Sequence, residues 1–319
     1  MTDVLLVSLG STVGLRDADA QLAASMRRAG ATVHVTAAER PREWRTYGLL
    51  ELAWALAARR AAAAAIAAHR PRAILYSSVT AALLGPARGA IRFDAPAAGN
   101  RPGRHGIWQR PVERRRLAAA PLLVPLSEGG LAEAPRPHAD AVVVPVPVAP
   151  SGPPQERDIA AITYGANPQK KGLDRVLAAW HAVRSEGETL VVAGFDGPDG
   201  DGVRFAGTLP RNEYRALLRR ARAFVTAPRR EDYGTAQLEA LADGCILVTT
   251  ASPGPYAALP LARALDPRLV TTDLASATRI ALDDPAAGYA ERAAELLAPW
   301  RPETVDRIVA DELLPRLIS

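Results

Sequence analysis

An apolar strand, an irregular turn and a helix start follow one another in Ile162-Thr-Tyr-Gly-Ala-Asn-Pro-Gln-Lys-Lys-Gly-Leu-Asp174. A strand that passes through a short turn into a helix is the repeating unit of a parallel α/β sheet. The turn contains Lys170 and Lys171, which are the only two lysines among 39 basic residues. The segment therefore predicts an α/β fold and a pair of lysines in the turn at the carboxyl end of a strand.

Outward from this unit, apolar strands and helical stretches alternate along the chain. Before residue 150, we expect strands at 4–8, 32–36, 73–77, 90–93, 122–125 and 141–146, and helices at 18–29 and 48–69. After it, we expect strands at 159–164, 189–193, 203–206, 223–226 and 245–249, and helices at 173–185, 211–221 and 235–242. The best linker, Ala149-Pro-Ser-Gly-Pro-Pro154, separates the two series. The pattern predicts an α/β protein of two doubly wound, Rossmann-like domains, with ligands in a cleft between them.

Composition excludes several classes of protein. The 319 residues are 48% hydrophobic, and the single cysteine, Cys245, rules out a disulfide framework or a cysteine-based zinc cluster. The longest apolar run, residues 49–68, is interrupted by Arg59 and Arg60, so no membrane-spanning segment is expected. The N-terminus lacks the basic region of a secretory signal, and a cytoplasmic location is therefore expected.

Charge is distributed unevenly along the chain. The first 150 residues hold 19 arginines against 11 acidic residues, a net charge of +8, whereas the remainder carries −3. The basic half predicts either an anionic partner or a peripheral contact with a membrane surface, and an arginine-rich solvated surface is the alternative. Because no aromatic–basic interleaving or zinc-finger spacing is present, nucleic acid is not an expected partner.

Two further segments of the second half belong with the lysine turn. Val203-Arg-Phe-Ala-Gly-Thr-Leu209 is a short strand that ends in a glycine turn. Glu231-Asp-Tyr-Gly-Thr-Ala-Gln-Leu-Glu-Ala-Leu-Ala-Asp-Gly244 places seven residues between Glu231 in a loop and Glu239 in a helix. Lysine ammonium groups and helix N-terminal N–H groups suit a diphosphate, and carboxylates accept hydrogen bonds from hydroxyls.

These segments resemble the retaining glycosyltransferases of family four (group 1), which have the two-domain GT-B fold. The resemblance is specific over residues 159–250 and architectural over the first 150. It implies an N-terminal Rossmann-like acceptor domain at 1–150, a C-terminal Rossmann-like donor domain at 151–301, and a helix at 302–319 that returns to the first domain. It also implies a metal-independent enzyme that transfers a sugar, with retention, from a UDP-, GDP- or other nucleotide sugar to an acceptor hydroxyl.

The same resemblance assigns expected roles to individual residues. Lys171 would contact the donor diphosphate with Lys170 beside it, Glu231 the donor sugar, and Glu239 the ribose hydroxyls. The remaining expected donor-binding positions are Gly207, Thr208 and Leu209 at the base, Tyr233, Gly234 and Thr235 before the helix, and Gly10 and Gly14 in the first domain. Where the family usually has an arginine after the first glycine of the lysine turn, this chain has Ala166.

The first domain offers Asp94 and His105 as candidate catalytic residues. Asp94 ends a predicted strand and is expected to point into the cleft, where a helix or turn cap is the alternative role. His105 lies in the Gly/Pro-rich loop Asn100-Arg-Pro-Gly-Arg-His-Gly106, and a solvated loop histidine is the alternative there. Two other functions remain open from the sequence: a sugar-nucleotide epimerase of the same fold, and a non-catalytic nucleotide-sugar-binding partner protein.

Overall fold

The structure is a computed structural model that describes residues 2–42, 46–101, 103–138 and 140–318, with Val13, Tyr47 and His105 described by their backbone alone. The chain divides into two compact units. The first unit consists of Met1–Pro147 together with Pro302–Ser319, and the second unit consists of Val148–Arg301. None of the described helices combines the length and the apolar character needed to cross a bilayer.

The first unit is built on one parallel sheet. Its strands are β1 (Val4–Ser8), β2 (Val33–Ala37), β3 (Ala73–Tyr76), β4 (Ala90–Phe93), β5 (Leu122–Pro125) and β6 (Asp140–Ala141). Its helices before residue 147 are α1 (Val13–Arg28), α2 (Tyr47–His69), α3 (Val79–Ala82), α4 (Ala97–Asn100), α5 (Gln109–Ala119) and α6 (Glu128–Glu133). Within the described residues the strand order is β2-β1-β3-β4-β5-β6, and every pairing is parallel.

Strand β1 shows why the sheet is covered on both faces. Leu5 and Val7 pack into a core cluster with residues of α2 and α5, whereas Val4 and Leu6 pack into a second cluster with residues of α1. All five residues of β1 are buried, as expected for a central strand of a parallel sheet. The first unit is therefore doubly wound.

The second unit repeats the architecture. Its strands are β7 (Ile159–Tyr164), β8 (Leu190–Ala193), β9 (Val203–Gly207), β10 (Ala221–Thr226) and β11 (Ile246–Thr249). Its helices are α7 (Pro168–Lys171), α8 (Leu173–Val183), α9 (Arg211–Arg220), α10 (Thr235–Ala242), α11 (Ala258–Leu265), α12 (Leu274–Asp283) and α13 (Tyr289–Leu296). The parallel strands lie in the order β11-β10-β7-β8-β9. The predicted α/β class with two Rossmann-like sheets is confirmed.

Two local predictions from the sequence are wrong. Helix α1 begins at Val13, five residues earlier than expected, because Thr12 caps it by accepting a hydrogen bond from Leu15 N at 3.2 Å. Gly14 therefore lies in the first turn of a helix and not in the turn before it. The strand expected over 141–146 ends at Ala141, although Val142 N and Val144 N still donate to Leu123 O and Pro125 O of β5 at 2.9 and 3.0 Å.

The last residues of the chain complete the core of the first unit. Helix α14 (Pro302–Ile308), a π-helical turn (Val309–Leu313) and helix α15 (Leu314–Ile318) follow one another without a break. Val309 and Leu313 are fully buried in the cluster that contains Val4, Leu6 and Met26 of the same unit. Asp306 accepts hydrogen bonds from Ser25 Oγ at 2.6 Å and Arg28 Nε at 2.8 Å, which fixes the segment to α1.

We expect Leu313→Ala to lower the free energy of unfolding of the first unit by about 2–5 kcal/mol, because it leaves a cavity in a closed core. Urea denaturation followed by circular dichroism measures the change. Leu296→Ala is the matched control, since Leu296 is 37% exposed, and it should change stability by less than about 0.5 kcal/mol. Equal effects of the two substitutions would contradict a structural role for the C-terminal segment.

Candidate functional site

The candidate site of the second unit lies where its strand order reverses. The chain leaves β7 toward β8 and leaves β10 toward β11, on the opposite side, so the loops after β7 and β10 diverge. Ligands of doubly wound sheets bind at the carboxyl ends of the strands at such a point. The loop after β7 carries Lys170 and Lys171, and the loop after β10 carries Glu231.

Lys171 and Glu231 meet across this edge of the sheet. Lys171 Nζ donates a hydrogen bond to Glu231 Oε2 at 2.6 Å, and Gln237 Nε2 of α10 donates to the same oxygen at 3.1 Å. The Glu231 side chain is 5% exposed and that of Lys171 is 19% exposed. A buried carboxylate of this kind needs its cation, because an unpaired buried charge is strongly destabilising.

Lys170 forms a second ion pair next to the first. Its Nζ donates to Asp232 Oδ2 at 2.6 Å, and Arg230 Nε donates to Asp232 Oδ1 at 2.7 Å. Burial by itself would raise the pKa of Asp232, but Lys170 and Arg230 outweigh it and hold that pKa below its ordinary value. Both lysines of the chain are thus held by carboxylates from the loop after β10.

Gly172 sets how closely the two loops approach. Its φ is +64°, and a Cβ atom on it would lie 2.0 Å from the carbonyl oxygen of Ala227, directly after β10. Only glycine satisfies both the left-handed conformation and this contact. Gly172 is also the residue from which α8 begins, so the lysine turn, the helix start and the end of β10 are fixed together.

Glu239 lies on the same edge but in a different group of side chains. It forms ion pairs with Arg211 and, at 3.7 Å, with Arg215 Nη1, both from α9. Burial raises the pKa of Glu239, and the two arginines offset part of that rise. The predicted residues Thr208 and Leu209 lie just before Pro210, the N-cap of α9. The ion pair with Arg211 therefore brings Glu239 to the start of the helix that follows them.

The residues between Glu231 and Glu239 serve mainly to place α10. Tyr233 is buried, and its hydroxyl accepts a hydrogen bond from Trp300 Nε1 at 3.0 Å, so its phenol belongs to the interior of the unit. Gly234 has φ +93° at the N-cap of α10, and Thr235 is the first residue of that helix. The N–H groups of a first helical turn lack intrahelical acceptors and can face an anion.

Asp94, a candidate residue of the first unit, lines a separate cavity of about 330 Å³. It opens at the carboxyl ends of β1, β3 and β4, where the strand order of the first sheet reverses. Asp94 follows β4, lines this cavity and is exposed, and its Oδ1 accepts a hydrogen bond from Ala95 N at 2.7 Å. Gly10 lies in the loop after β1, and the backbone of His105 lies in a 3-10 turn, whereas its side chain is outside the described part of the structure.

The cavity contains a buried network that sequence reasoning missed. Arg92 pairs with Asp19 at 3.4 Å, and Arg101 pairs with Glu51 at 3.1 Å. Glu113 of α5 accepts a hydrogen bond from Ala97 N at 2.5 Å. Burial raises the pKa of Glu113 to about 7, although that hydrogen bond and Arg101 work in the opposite direction.

Some of the site residues that were not predicted could have been found from the sequence, and others could not. Arg211 and Arg215 are four residues apart, a spacing that puts both on one face of a predicted helix, and this could have suggested a shared partner. Asp232 stands beside a predicted site residue. Glu51 and Glu113 lie in helices that read as ordinary amphipathic segments, and no local pattern connects them with a ligand.

Comparisons with known proteins agree with this geometry. Residues 158–284 match the family model described as Glycosyl transferases group 1. Over 98% of this chain and 100% of its own, the structure of WaaG, a glycosyltransferase involved in lipopolysaccharide biosynthesis, is similar with a TM-score of 0.71 at 15% identity. Sucrose-phosphate synthase from Thermosynechococcus elongatus is similar with a TM-score of 0.66 at 14% identity, over 96% of each chain.

A third similar structure is an α,α-trehalose-phosphate synthase from Burkholderia xenovorans in complex with glucose-6-phosphate. Its TM-score is 0.66 at 13% identity, over 99% of this chain and 100% of that chain. No curated protein sequence matches the chain significantly. At these identities the structural likeness establishes the fold, which is GT-B over both units.

The match covers most of the second unit, so the likeness in sequence to the group 1 glycosyl transferases lies in this unit.

We expect the stability of the first unit to fall by about 3 kcal/mol between pH 5 and pH 8, because Glu113 holds its proton more tightly when folded. The ordinary carboxyl value is 4.5 and the folded pKa is about 7, so this contribution is full below the former and is lost as the pH rises through the latter. Urea denaturation across this pH range measures the free energy of unfolding, and Glu113→Gln should abolish its decrease with pH. Glu128→Gln, at an exposed position, should retain it; an unchanged slope in Glu113→Gln would disprove the assignment.

Proposed function

We propose that this protein transfers a sugar from a nucleoside diphosphate sugar to an acceptor hydroxyl, with retention of configuration and without a metal ion. The observation that carries the proposal is the Lys171–Glu231 ion pair at the point where the second sheet reverses its order. The pair lies inside the segment that matches the group 1 model. Retention rests on the family resemblance.

The charge balance around the lysines supports donor binding by partner exchange. Glu231 neutralises Lys171, and Asp232 neutralises Lys170. A diphosphate that reaches this edge offers the lysines stronger acceptors than single carboxylates. Lys171 then turns to the diphosphate, and the released Glu231 carboxylate accepts a hydrogen bond from a hydroxyl of the donor sugar.

Other residues of the same edge would hold the nucleoside. Glu239 lies on α10 beside the start of α9, where its carboxylate would accept hydrogen bonds from the ribose hydroxyls. Gly207, Thr208 and Leu209 form the loop after β9 and would line the base through their backbone. Gly234 and Thr235 add the N–H groups at the start of α10, which stabilise negative charge on the leaving diphosphate.

The chemical step needs no protein nucleophile in this proposal. The bond between the anomeric carbon and the diphosphate oxygen breaks, and the acceptor oxygen bonds to the same face of that carbon. The acceptor proton passes to the departing phosphate oxygen. Lys171 and Lys170 contribute by stabilising the charge that develops on the diphosphate, which is a large catalytic term when the cations are already in place.

The acceptor would bind to the first unit. Asp94 lines the cavity at the carboxyl edge of that unit's sheet and is the carboxylate best placed to accept a hydrogen bond from an acceptor hydroxyl. Gly10 lies in the loop after β1, at the same edge of the sheet. The described geometry offers no comparable argument for His105.

We expect Lys171→Ala to reduce transfer by about 100-fold or more, since removing one preformed stabilising group typically has an effect of that size. The donor is first selected by thermal shift with UDP, GDP, ADP and dTDP and their sugars, and transfer is then measured by product mass. Arg220→Ala, which removes an exposed cation paired with Asp158, is the control and should transfer normally. Wild-type turnover by Lys171→Ala would remove the central assignment, and conversion of the donor without acceptor would indicate an epimerase.

Partner exchange makes a second prediction. Glu231→Gln should bind the free nucleoside diphosphate about 5-fold more tightly, because Lys171 no longer has to leave a carboxylate, while sugar transfer is lost. Isothermal titration with the selected nucleotide measures the affinity. Weaker nucleotide binding in Glu231→Gln would mean that the carboxylate does not compete with the diphosphate for Lys171.

A further inference from the structure

The cavity of the first unit contains a buried arginine, Arg92, and a half-buried one, Arg101, and each is paired with a carboxylate. Arg92 and Asp19 pair at 3.4 Å, with their side chains 2% and 3% exposed. Arg101 pairs with Glu51 at 3.1 Å, and Glu51 also accepts a hydrogen bond from Thr80 Oγ1 at 2.9 Å. Each guanidinium therefore has a carboxylate in the same low-dielectric region, and removing an arginine from its partner would be costly.

The rest of the lining adds further hydrogen-bonding groups. Asp94 contributes a carboxylate to the wall, and Glu113 contributes a carboxyl group whose pKa burial raises to about 7. Asn100 also lines the cavity, and its Nδ2 donates to Ala95 O at 3.4 Å.

Taken together, we infer that the cavity of the first unit binds an uncharged acceptor that carries several hydroxyl groups, such as a sugar or cyclitol without phosphate or carboxylate. The inference rests on the proposed function and names the substrate class of its acceptor. Hydroxyl groups of the ligand donate to the Asp94 and Glu51 carboxylates of the wall. The cavity volume of about 330 Å³ lies in the range of small-molecule sites.

The charged groups of the cavity disfavour an anionic acceptor. The cations of the described lining are Arg92, which is 2% exposed, and Arg101, which Glu51 and Gln109 Oε1 both hold. A rigid guanidinium held in this way cannot turn to a phosphate as a lysine on a flexible stem can. Here a phosphate would have to displace Glu51 from Arg101 and remain close to Asp94 and Glu113. The related trehalose-phosphate synthase was solved with glucose-6-phosphate, so this chain would differ from that protein in the charge of the acceptor.

Matched pairs of ligands test the inference on the full chain. Saturation-transfer NMR compares glucose with glucose 6-phosphate, mannose with mannose 6-phosphate and myo-inositol with its 1-phosphate, within a panel that includes neutral disaccharides. We expect a neutral member to bind at least about 10-fold more tightly than its phosphate, since a charged group left among carboxylates is rejected. Equal or tighter binding of the phosphates, or binding of no neutral ligand, would overturn the inference.

A charge change inside the cavity provides the second arm. Glu51→Gln leaves the Arg101 charge unmatched and should narrow the preference for neutral ligands by about 5-fold or more, chiefly by strengthening the binding of phosphates. Asp140→Asn is the control, because it removes a carboxylate from an exposed arginine pair, Arg316–Asp140, elsewhere on the unit. An equal change in both variants, or none in Glu51→Gln, would show that the Glu51 pair does not set the ligand charge.

Donor turnover is measured in its own assay, so that failure of the proposed function can be distinguished from failure of the inference about the acceptor. Release of nucleotide from the nucleotide sugar reports the proposed function in the second unit. Transfer to a sugar phosphate in preference to its neutral counterpart would leave that function standing and overturn the inference. If the cavity prefers neutral ligands but the protein releases no nucleotide from any nucleotide sugar, the inferred ligand class is supported and the proposed function is overturned.

Discussion

The ion pair between Lys171 and Glu231 joins the two loops that diverge from the centre of the second sheet. It forms because β7 and β10 are neighbours in the sheet, although the 56 residues 165–220, including α7–α9, β8 and β9, separate the two strands in the chain. Gly172 makes the approach possible, since any side chain at that position would collide with the Ala227 carbonyl. The helix starts and carboxylates of the candidate donor site all take their positions from this contact.

The two units treat buried charge differently. In the second unit, the lysines are partly exposed, and each is held by one carboxylate from the neighbouring loop. A lysine is a compact point charge on a flexible stem, so it can turn from a carboxylate to a phosphate with little rearrangement. In the first unit, Arg92 is held in a buried pair, and Arg101, which is about as exposed as Lys171, is held by both Glu51 and Gln109. The contrast fits a mobile charge where an anion binds and a fixed, neutralised charge where the ligand carries none.

Much of the fold could be predicted because its signals are local. Apolar runs such as 159–164 and 4–8 identify buried strands, and their alternation with helices leaves a doubly wound sheet as the consistent solution. One error occurred where a single side chain changes an element boundary. Thr12 caps α1 early and draws Gly14 into the helix. At the edge of the first sheet, regular pairing ends at Ala141, and the apolar residues Val142 and Val144 continue it through single backbone hydrogen bonds to β5.

The sequence by itself determined the class of fold, the lysine turn, and the spacing of Glu231 and Glu239, because each depends on residues close together in the chain. The tertiary structure alone decided which charges meet. Lys171 pairs with Glu231, Glu239 pairs with Arg211, and Glu51 neutralises Arg101, and no local pattern encodes these partners. Ion pairing depends on distances of a few ångströms between atoms that are 28 to 60 residues apart in the chain, and only packing fixes such distances.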